Sequence, residues 1–510
     1  MSTNRRDFIK FVVAGAVASG CPVDLSALPV PSTNKAEVDG ENNTICHQVR
    51  DGKVFSRPPA SARHDIAIIG GGMSGLTAAY LLRQRDFILL EKELHWGGNA
   101  YLMDYQGDAY ATGAAFVVAD DASGRFAKEI GFDALPIDNW DGSIIKGEFV
   151  ADTWGEGLDH LPYSIAVRES FKKFKQQLLS IDIKKRMLEL DNVPATDFMK
   201  GYAPEVKEWW DAYGPSNWGA TSENSAAATV VYEMHGIAGP ERKDTRATWA
   251  GGIGALSKKL SDILKPEFSD RMLTGATTVA VVPQKNEVHV TYMHDGKLTT
   301  IAAKAVIMAT PKFITRRIVE GLPAKQDQAM HKIRYIPYPV VNLIFDKPVF
   351  NKGYDTWCPG NKFTDFVVAD WVVRNQQGYQ QKHNILSCYT PLSEDDRGYL
   401  LNEIGARKIA QSVLKDFQKL FPGSDVDPVE VHIYRRGHPM FMCTPGLFTQ
   451  VQPVARQPFG RIFFANTDSE SPVSDTSGAI TAARRAVKEA EHRLAGKPGE
   501  PRESAAVGGS

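Results

Sequence analysis

Residues 64–91, HDIAIIGGGMSGLTAAYLLRQRDFILLE, decide the fold of this chain. The apolar run at 66–69 predicts a buried parallel strand. Gly70, Gly72 and Gly75 follow it in G-x-G-x-x-G order. In this motif the first glycine permits a tight turn, the second leaves room for a pyrophosphate, and the third lets a helix pack against the strand.

The residues after the glycines complete the pattern. Residues 74–83 carry an apolar helical face, and the apolar run 87–90 predicts a second strand that ends at Glu91. An acid about twenty residues beyond the glycines can accept hydrogen bonds from a ribose. The stretch therefore predicts a dinucleotide-binding βαβ unit, which by itself suits either NAD or FAD.

Length, charge and cysteine content narrow the class of protein. The chain has 510 residues with 43% hydrophobic content, enough for two or three structural domains. Its formal charge of −1 provides no basic field, so we expect no nucleic-acid partner. The five cysteines form no CxxC pair and no CxxCH motif, so we expect no metal site.

The first 21 residues predict export. Residues 4–10, NRRDFIK, are similar to the twin-arginine pattern, and the apolar run 11–20 is too short to span a membrane. An ordinary secretory signal is the alternative. Residues 17–21 resemble a lipoprotein cleavage box, which leaves lipidation of Cys21 and plain cleavage both open. We therefore expect a periplasmic or extracytoplasmic protein, with the twin-arginine export machinery as a partner and membrane anchoring through a lipidated Cys21 as one open outcome.

Composition and periodicity divide the rest of the chain. A stretch rich in Pro, Ser and Asn follows the signal and reads as a flexible linker, and the end of the chain reads as a disordered tail. Glycine turns with apolar strands recur in three separated stretches, and helical patterns dominate about residues 120–246. The predicted ranges are 22–63 for the linker, 64–116, 246–315 and 446–494 for the nucleotide domain, 117–245 and 316–445 for a substrate domain, and 495–510 for the tail.

Four separated motifs resemble the flavin-containing amine oxidase family, which includes monoamine and polyamine oxidases. They are IIGGGMSGLTAAYLL with Glu91, the HWGGN glycine pair, TWAGGIGALSKKL with VIMATP, and RIFFANTDSES with SGAITAARRA. The resemblance implies FAD as cofactor and an α/β fold. This fold combines a Rossmann-like FAD-binding domain, discontinuous in sequence, with an α+β substrate domain that carries a helical insertion.

The resemblance also implies roles for individual residues. The glycine turn with Ser74 would hold the pyrophosphate, Glu91 the ribose, a second glycine pair the phosphates, and one strand residue the adenine. An acid would bind near the ribityl chain or the phosphates, and a helix start would present N–H groups to the isoalloxazine ring. The implied cofactor-binding residues are Gly70, Gly72, Ser74, Gly75, Glu91, Gly97, Gly98, Val279, Asp468, Ala479 and Ile480.

The substrate end departs from the family pattern. Asn99 replaces the arginine that usually follows the glycine pair, and strand 339–346 lacks the lysine found in many amine oxidases. Pro439 occupies one position of the usual aromatic sandwich, and the other falls near Asp475. His438 is a candidate general base, covalent flavin ligand or structural histidine. Asp475 is a candidate partner for a cationic substrate or a helix cap.

These observations predict an exported FAD-dependent oxidoreductase. It would oxidise the C–N bond of a small amine, polyamine or amino acid by hydride transfer to flavin, with His438 and Asp475 as candidate catalytic residues. Electrons would pass to O2 or to an extracytoplasmic acceptor. Two alternatives stay open: a flavin-dependent desaturase or isomerase acting on a C–C bond, and a non-catalytic flavoprotein.

Overall fold

The computed structural model describes residues 36–240, 242–380, 382–422 and 426–496. The predicted signal over 1–21 lies outside these residues, as does most of the predicted tail. The described strands, in chain order, are β1 (Glu37–Gly40), β2 (Ala62–Ile69), β3 (Phe87–Leu90), β4 (Leu102–Tyr105), β5 (Asp108–Ala111), β6 (Val117–Val118), β7 (Leu135–Pro136), β8 (Gly142–Ile145), β9 (Glu148–Val150), β10 (Arg246–Thr248), β11 (Met272–Leu273), β12 (Thr277–Pro283), β13 (Val288–His294), β14 (Lys297–Met308), β15 (Tyr335–Ile336), β16 (Val340–Phe345), β17 (Asp355–Trp357), β18 (Asp365–Val368), β19 (Asn384–Tyr389), β20 (Glu430–Arg435), β21 (Met440–Phe441) and β22 (Ile462–Phe464).

The described α-helices are α1 (Thr44–Arg50), α2 (Met73–Leu81), α3 (Ala122–Glu129), α4 (Ile165–Leu179), α5 (Ile183–Asp191), α6 (Thr196–Met199), α7 (Pro204–Trp218), α8 (Ala227–Ala238), α9 (Gly254–Phe268), α10 (Lys312–Ile318), α11 (Ala324–Lys332), α12 (Glu403–Leu420), α13 (Gln452–Ala455) and α14 (Thr476–Leu494). Short 3₁₀ helices lie at Glu156–Asp159, Glu394–Leu401 and Thr467–Ser469, and a short π-helix lies at Leu447–Val451. No helix in the described ranges is long and apolar enough to cross a membrane.

A seven-stranded sheet carries the glycine motif. Its strand order is β11-β3-β2-β14-β13-β12, and β22 pairs with β14. Strands β11, β3, β2, β14 and β22 run parallel, while β12 and β13 are antiparallel additions. These strands come from three separated stretches of sequence, so the nucleotide sheet is discontinuous in the chain.

Strand β2 is buried on both faces, which explains its continuous apolar run. Ile66 and Ile68 face one apolar cluster, which includes residues of α2, α9 and α14, and Ala67 and Ile69 face another. Small side chains line the contact between α2 and α14, among them Ala79, which is fully buried. Close packing of these two helices brings both of their amino termini to the carboxyl end of the parallel strands.

The second large sheet is mixed and has eight strands, in the order β1-β20-β16-β19-β18-β17-β8-β9. Helix α12 packs its apolar face against this sheet through side chains such as Phe417. Helices α4 to α8 lie between β9 and β10 in sequence and form the predicted helical insertion. Trp209, Trp210 and Trp218 are buried in its core, as expected for large apolar side chains. The observed architecture is the predicted α/β fold.

The segment 36–50, called here the amino-terminal segment, corrects the predicted linker. Residues 22–63 were expected to be flexible, but β1 adds to the eight-stranded sheet parallel to β20, with Glu37 opposite His432. Helix α1 packs against β12 and α10. Composition alone missed this because β1 contributes backbone hydrogen bonds to a strand that is distant in sequence.

The four described cysteines, Cys46, Cys358, Cys388 and Cys443, are free thiols.

Candidate active site

The glycine turn after β2 has the shape that its sequence predicts. Gly70 has φ of +104°, a conformation that favours glycine. A methyl group on Gly75 would lie 1.8 Å from the carbonyl oxygen of Gly70, so α2 can start there only with glycine. A methyl group on Gly72 would meet nothing closer than 3.8 Å. A side chain at position 72 would therefore point into open space, whereas the space for a side chain at position 75 is occupied by the protein itself.

The second glycine pair closes the other side of this space. Gly97 and Gly98 have φ of +115° and +56°. The amide of Gly97 donates to the carbonyl of Gly71 at 2.9 Å, and a methyl group on Gly98 would lie 3.2 Å from the Cα of Gly72. Gly72 and Gly98 thus form a side-chain-free cradle at the amino terminus of α2. Backbone N–H groups at a helix start bind phosphate, so the cradle fits the diphosphate of a dinucleotide.

Glu91 holds the glycine turn in place. Its carboxylate accepts hydrogen bonds from the amides of Gly71 at 2.6 Å and Glu93 at 2.8 Å. Burial raises the pKa of Glu91, although these amides and nearby Lys92 favour the charged form. Each carboxylate oxygen can accept a second hydrogen bond, so the predicted ribose contact is compatible with this position and stays a prediction.

Two further predicted cofactor residues occupy special positions. Ser74 donates its hydroxyl to the carbonyl of Ala479 at 3.0 Å, which ties α2 to α14. Only the backbone of Ser74 is therefore free for a cofactor. Val279 is the extra residue of a β-bulge in β12, because the pairing with β13 shifts between Thr278 and Ala280. A bulge leaves backbone groups without ladder partners, which suits the predicted contact with adenine.

The start of α14 corrects two predicted residues. The helix begins at Thr476, one residue before the expected start at Ser477. The amides of Ala479 and Ile480 therefore belong to the internal i to i−4 ladder of the helix. The open donors of the first turn are the amides of Thr476 and Ser477, and a contact of this helix start with the isoalloxazine ring stays a prediction.

Asp475 caps α14. Its Oδ1 accepts the amide of Gly478 at 2.7 Å and the hydroxyl of Ser471 at 3.3 Å. The side chain is accessible to solvent, although many protein atoms lie around its carboxyl group. Burial raises its pKa to about 6, and Asp121 adds to the rise. The capping role is observed, and the catalytic role stays a prediction.

Asp468 does not face the cofactor space. Its carboxylate accepts Lys312 Nζ at 2.5 Å, the amide of Lys312 at 2.8 Å and the hydroxyl of Tyr335 at 2.5 Å. Both Lys312 and Asp468 side chains are fully buried. The predicted contact between the Asp468 carboxylate and the ribityl chain or phosphates is wrong because a buried lysine takes this acid as its partner. Sequence reasoning missed Lys312, since its partner lies 156 positions away.

His438 lies in the loop between β20 and β21. Its ring packs against Phe313 with centroids 4.5 Å apart. Burial lowers the pKa of His438 to about 4, with Arg397 contributing, so the imidazole is neutral near pH 7. The side chain of Asn99 donates to the carbonyl of Pro439 at 2.6 Å. This bond ties the loop of His438 and Pro439 to the residue that follows Gly98. The catalytic role of His438 stays a prediction.

A second acid, which the sequence did not single out, interacts electrostatically with Asp475. Glu233 lies on α8 and accepts a hydrogen bond from the hydroxyl of Tyr213 at 3.1 Å. Burial raises the pKa of Glu233 to about 7, and the charge of Asp475 raises it further. Asp475 and Glu233 both also raise the pKa of Tyr232, which reaches about 12, chiefly through burial. The charge of Asp475 therefore disfavours a second negative charge on Glu233.

The glycine cradle lies at the end of a parallel sheet, and titratable side chains lie on the elements around it. These features are typical of a dinucleotide-dependent oxidoreductase. Comparison with known proteins makes the class specific. The model of the family described as flavin containing amine oxidoreductase matches residues 73–490. The chain belongs to this family, its cofactor is FAD, and it is an FAD-dependent amine oxidase-like oxidoreductase.

Similarity to individual proteins agrees with this assignment. Oxidoreductase PigB of Serratia sp. is 23% identical over 502 residues, covering 81% of this chain and 72% of that protein. Flavin-containing amine oxidase A of Equus caballus is 24% identical over 479 residues, covering 83% and 84%. Wild-type putrescine oxidase bound to putrescine aligns with a TM-score of 0.65 at 17% identity, covering 84% of this chain and 98% of that one. Cyclohexylamine oxidase from Brevibacterium oxydans gives a TM-score of 0.66 at 16% identity, covering 85% and 99%, and these two structures establish the fold.

Proposed function

We propose that this enzyme oxidises the C–N bond of a cationic amine, by taking a hydride from the carbon beside the nitrogen. The observation that carries the proposal is the exposed carboxyl group of Asp475 at the amino terminus of α14, whose charge acts on Glu233 of α8. Interacting carboxyl groups raise each other's pKa, and an ammonium ion beside them relieves the repulsion. A neutral, apolar substrate would leave the charge of Asp475 without a cationic partner.

The residues of the chain divide the work. Bound FAD supplies the hydride acceptor. The cradle of Gly72 and Gly98 would hold its diphosphate, and the open amides of Thr476 and Ser477 would face negative charge on its ring. Hydride loss requires a neutral amine nitrogen. Glu233, with a pKa of about 7, is suited to take the ammonium proton at neutral pH.

The relatives support the same reaction class. Two of the structural neighbours are named for the oxidation of amines, putrescine and cyclohexylamine. Both names describe small molecules that are cationic at neutral pH. The departures at Asn99, Pro439 and the lysine-free strand β16 support the proposal that this chain holds its amine by different side chains.

An anaerobic reduction assay tests the proposal. The holoenzyme is mixed with primary amines, diamines and amino acids, and with the alcohol that matches each amine in shape. We expect the visible flavin absorbance to bleach with an amine and to persist with its alcohol. Bleaching only by neutral polyenes or lipids would instead support a desaturase acting on a C–C bond, and a flavin that no donor reduces would support a non-catalytic flavoprotein.

We further propose that the protein is exported by the twin-arginine route and works outside the cytoplasm. Support comes from the RRDFIK sequence before a short apolar run. Cofactor insertion fits this route, because a flavoprotein that folds before export can load FAD in the cytoplasm. Lipidation of Cys21 would then anchor the protein to a membrane, and O2 or an extracytoplasmic carrier would receive the electrons.

A further inference from the structure

Arg436 is a buried cation at the glycine cradle. The residue is 2% exposed and follows the end of β20. One guanidinium nitrogen, Nη2, donates to the carbonyl of Gly98 at 3.2 Å and to the hydroxyl of Thr112 at 2.9 Å. The other, Nη1, donates to the carbonyl of Thr112. Its guanidinium also stacks on Tyr434, 4.1 Å from the ring centroid.

The charge of Arg436 has no direct partner. Within the described ranges its guanidinium contacts neutral oxygens and an aromatic ring, and no carboxylate lies within 4.0 Å of it. Burial lowers the pKa of Arg436, and the nearby groups Tyr434 and Glu41 offset this only in part. Glu41 itself is bound to the amide of Gly437 at 3.2 Å. A buried guanidinium without an ion pair is costly, so the site is built for an anion that arrives from outside the chain.

The position of Arg436 identifies the anion. Gly98, whose carbonyl it contacts, faces Gly72 across the cradle. A methyl group on Gly113, in the next loop, would lie 3.3 Å from Nη1. The guanidinium therefore lies directly behind the cradle and one small-residue loop. We infer that Arg436 supplies the positive charge for the FAD diphosphate between Gly72 and Gly98, and is a cofactor-positioning residue.

Asn99 offers a second place for the same charge. It directly follows Gly98, its side chain is exposed, and its amide reaches the carbonyl of Pro439. An arginine at position 99 would border the cradle from the open side. If charge is what Arg436 contributes, a cation at 99 compensates for its loss. If Arg436 only ties Gly98 to Thr112, no residue at 99 can do so.

Competition between nucleotides tests the inference without using turnover. The variants are Arg436→Met, Arg436→Lys, and Arg436→Met with Asn99→Arg, all made with His438→Gln so that no covalent flavin link can form there. FAD release from each holoenzyme is followed by flavin fluorescence in excess ADP or excess adenosine. ADP carries the diphosphate and adenosine does not. Arg435→Met is the matched control, because among the described residues the Arg435 guanidinium donates hydrogen bonds to the carbonyls of Asp39 and Leu400 and to no group of the cradle.

We expect Arg436→Met to weaken FAD binding roughly 10- to 100-fold, as for the loss of a charged hydrogen bond. The advantage of ADP over adenosine should shrink by a similar factor, leaving only the contribution of the backbone amides of the cradle. Arg436→Lys and the variant with Asn99→Arg should restore the preference for ADP, and Arg435→Met should keep it. The inference is overturned if Arg436→Met keeps the full preference for ADP, or if Arg436→Lys folds and loses it. Should Arg436→Met fail to fold, the Arg436→Lys result decides alone.

Discussion

Replacing Lys312 by methionine is expected to lower the melting temperature of the enzyme by about 3–5 °C. Lys312 and Asp468 form an ion pair with Nζ–Oδ1 of 2.5 Å, and neither side chain is exposed. Removing one partner of a buried pair costs about 3–5 kcal/mol, because the other charge is left uncompensated. Unfolding entropy of about 2.1 cal/mol/K per residue gives roughly 1 kcal/mol per kelvin for a chain of this size.

A second substitution, Asp468→Asn, tests whether the uncompensated charge of the Asp468 carboxylate causes the loss of stability. Two donors, the backbone amide of residue 312 and the hydroxyl of Tyr335, act on Oδ2 of Asp468. The carbonyl of an asparagine can accept both, so Lys312→Met with Asp468→Asn should recover most of the loss. The control is Lys304→Met, which breaks a surface pair with Asp65 of similar length, 2.7 Å. A surface pair contributes about 0–1 kcal/mol, so that variant should melt within about 1 °C of the wild type.

The assay is thermal unfolding by circular dichroism at one scan rate, with FAD saturating. The reasoning is refuted if Lys312→Met melts within 1 °C of the wild type. It is equally refuted if the two substitutions are additive, since residues in direct contact should show a coupling energy.

Three further predictions concern the cofactor, the substrate and export. Gly72→Ala should fold normally but bind little FAD, since a methyl there meets no protein atom closer than 3.8 Å; Gly75→Ala, with a contact at 1.8 Å, should fail to fold, and flavin content with circular dichroism separates the two outcomes. Asp475→Asn keeps the cap on α14 and should leave the melting temperature nearly unchanged. It should also remove the rise in kcat/KM for an amine as pH increases through about 6, where Asp475 ionises to hold the ammonium; an unaltered pH profile would show that Asp475 does not bind substrate. Replacing Arg5 and Arg6 by lysine should retain the flavoprotein in the cytoplasmic fraction, and unchanged export on cell fractionation would point to an ordinary secretory signal.

Local sequence predicted the nucleotide side of the molecule well, because its geometry depends on backbone shape. Gly70 and Gly75 sit where no side chain fits, and such requirements are visible in a single sequence. The cofactor and the fold class followed from several such motifs in order. The start of α14 was predicted to within one residue, whereas the role of its cap, Asp475, stayed open between capping and substrate binding.

Distant pairs account for the rest. Asp468 was assigned to the cofactor, but its partner Lys312 is a lysine in an apolar stretch, and nothing local shows that it is buried. Glu233 is one acid on an ordinary helix, and only the fold brings it within the electrostatic influence of Asp475. Arg436 follows a strand, and its sequence position alone does not distinguish a cofactor-positioning residue from an ordinary cation at the end of a strand. In each case the role depends on which segments meet, which periodicity does not encode.

The amino-terminal segment has a consequence for the order of assembly. Its residue Glu41 is held by the amide of Gly437, 396 positions later, and β1 pairs with β20 along its whole length. These bonds cannot form until almost the entire chain has left the ribosome. Strand β1 therefore joins its sheet only near the end of synthesis, whereas the segments that α1 packs against, β12 and α10, are made earlier. Pairing of β1 with β20 requires a nearly complete chain. The time at which the amino-terminal segment becomes resistant to proteolysis therefore reports the completion of folding.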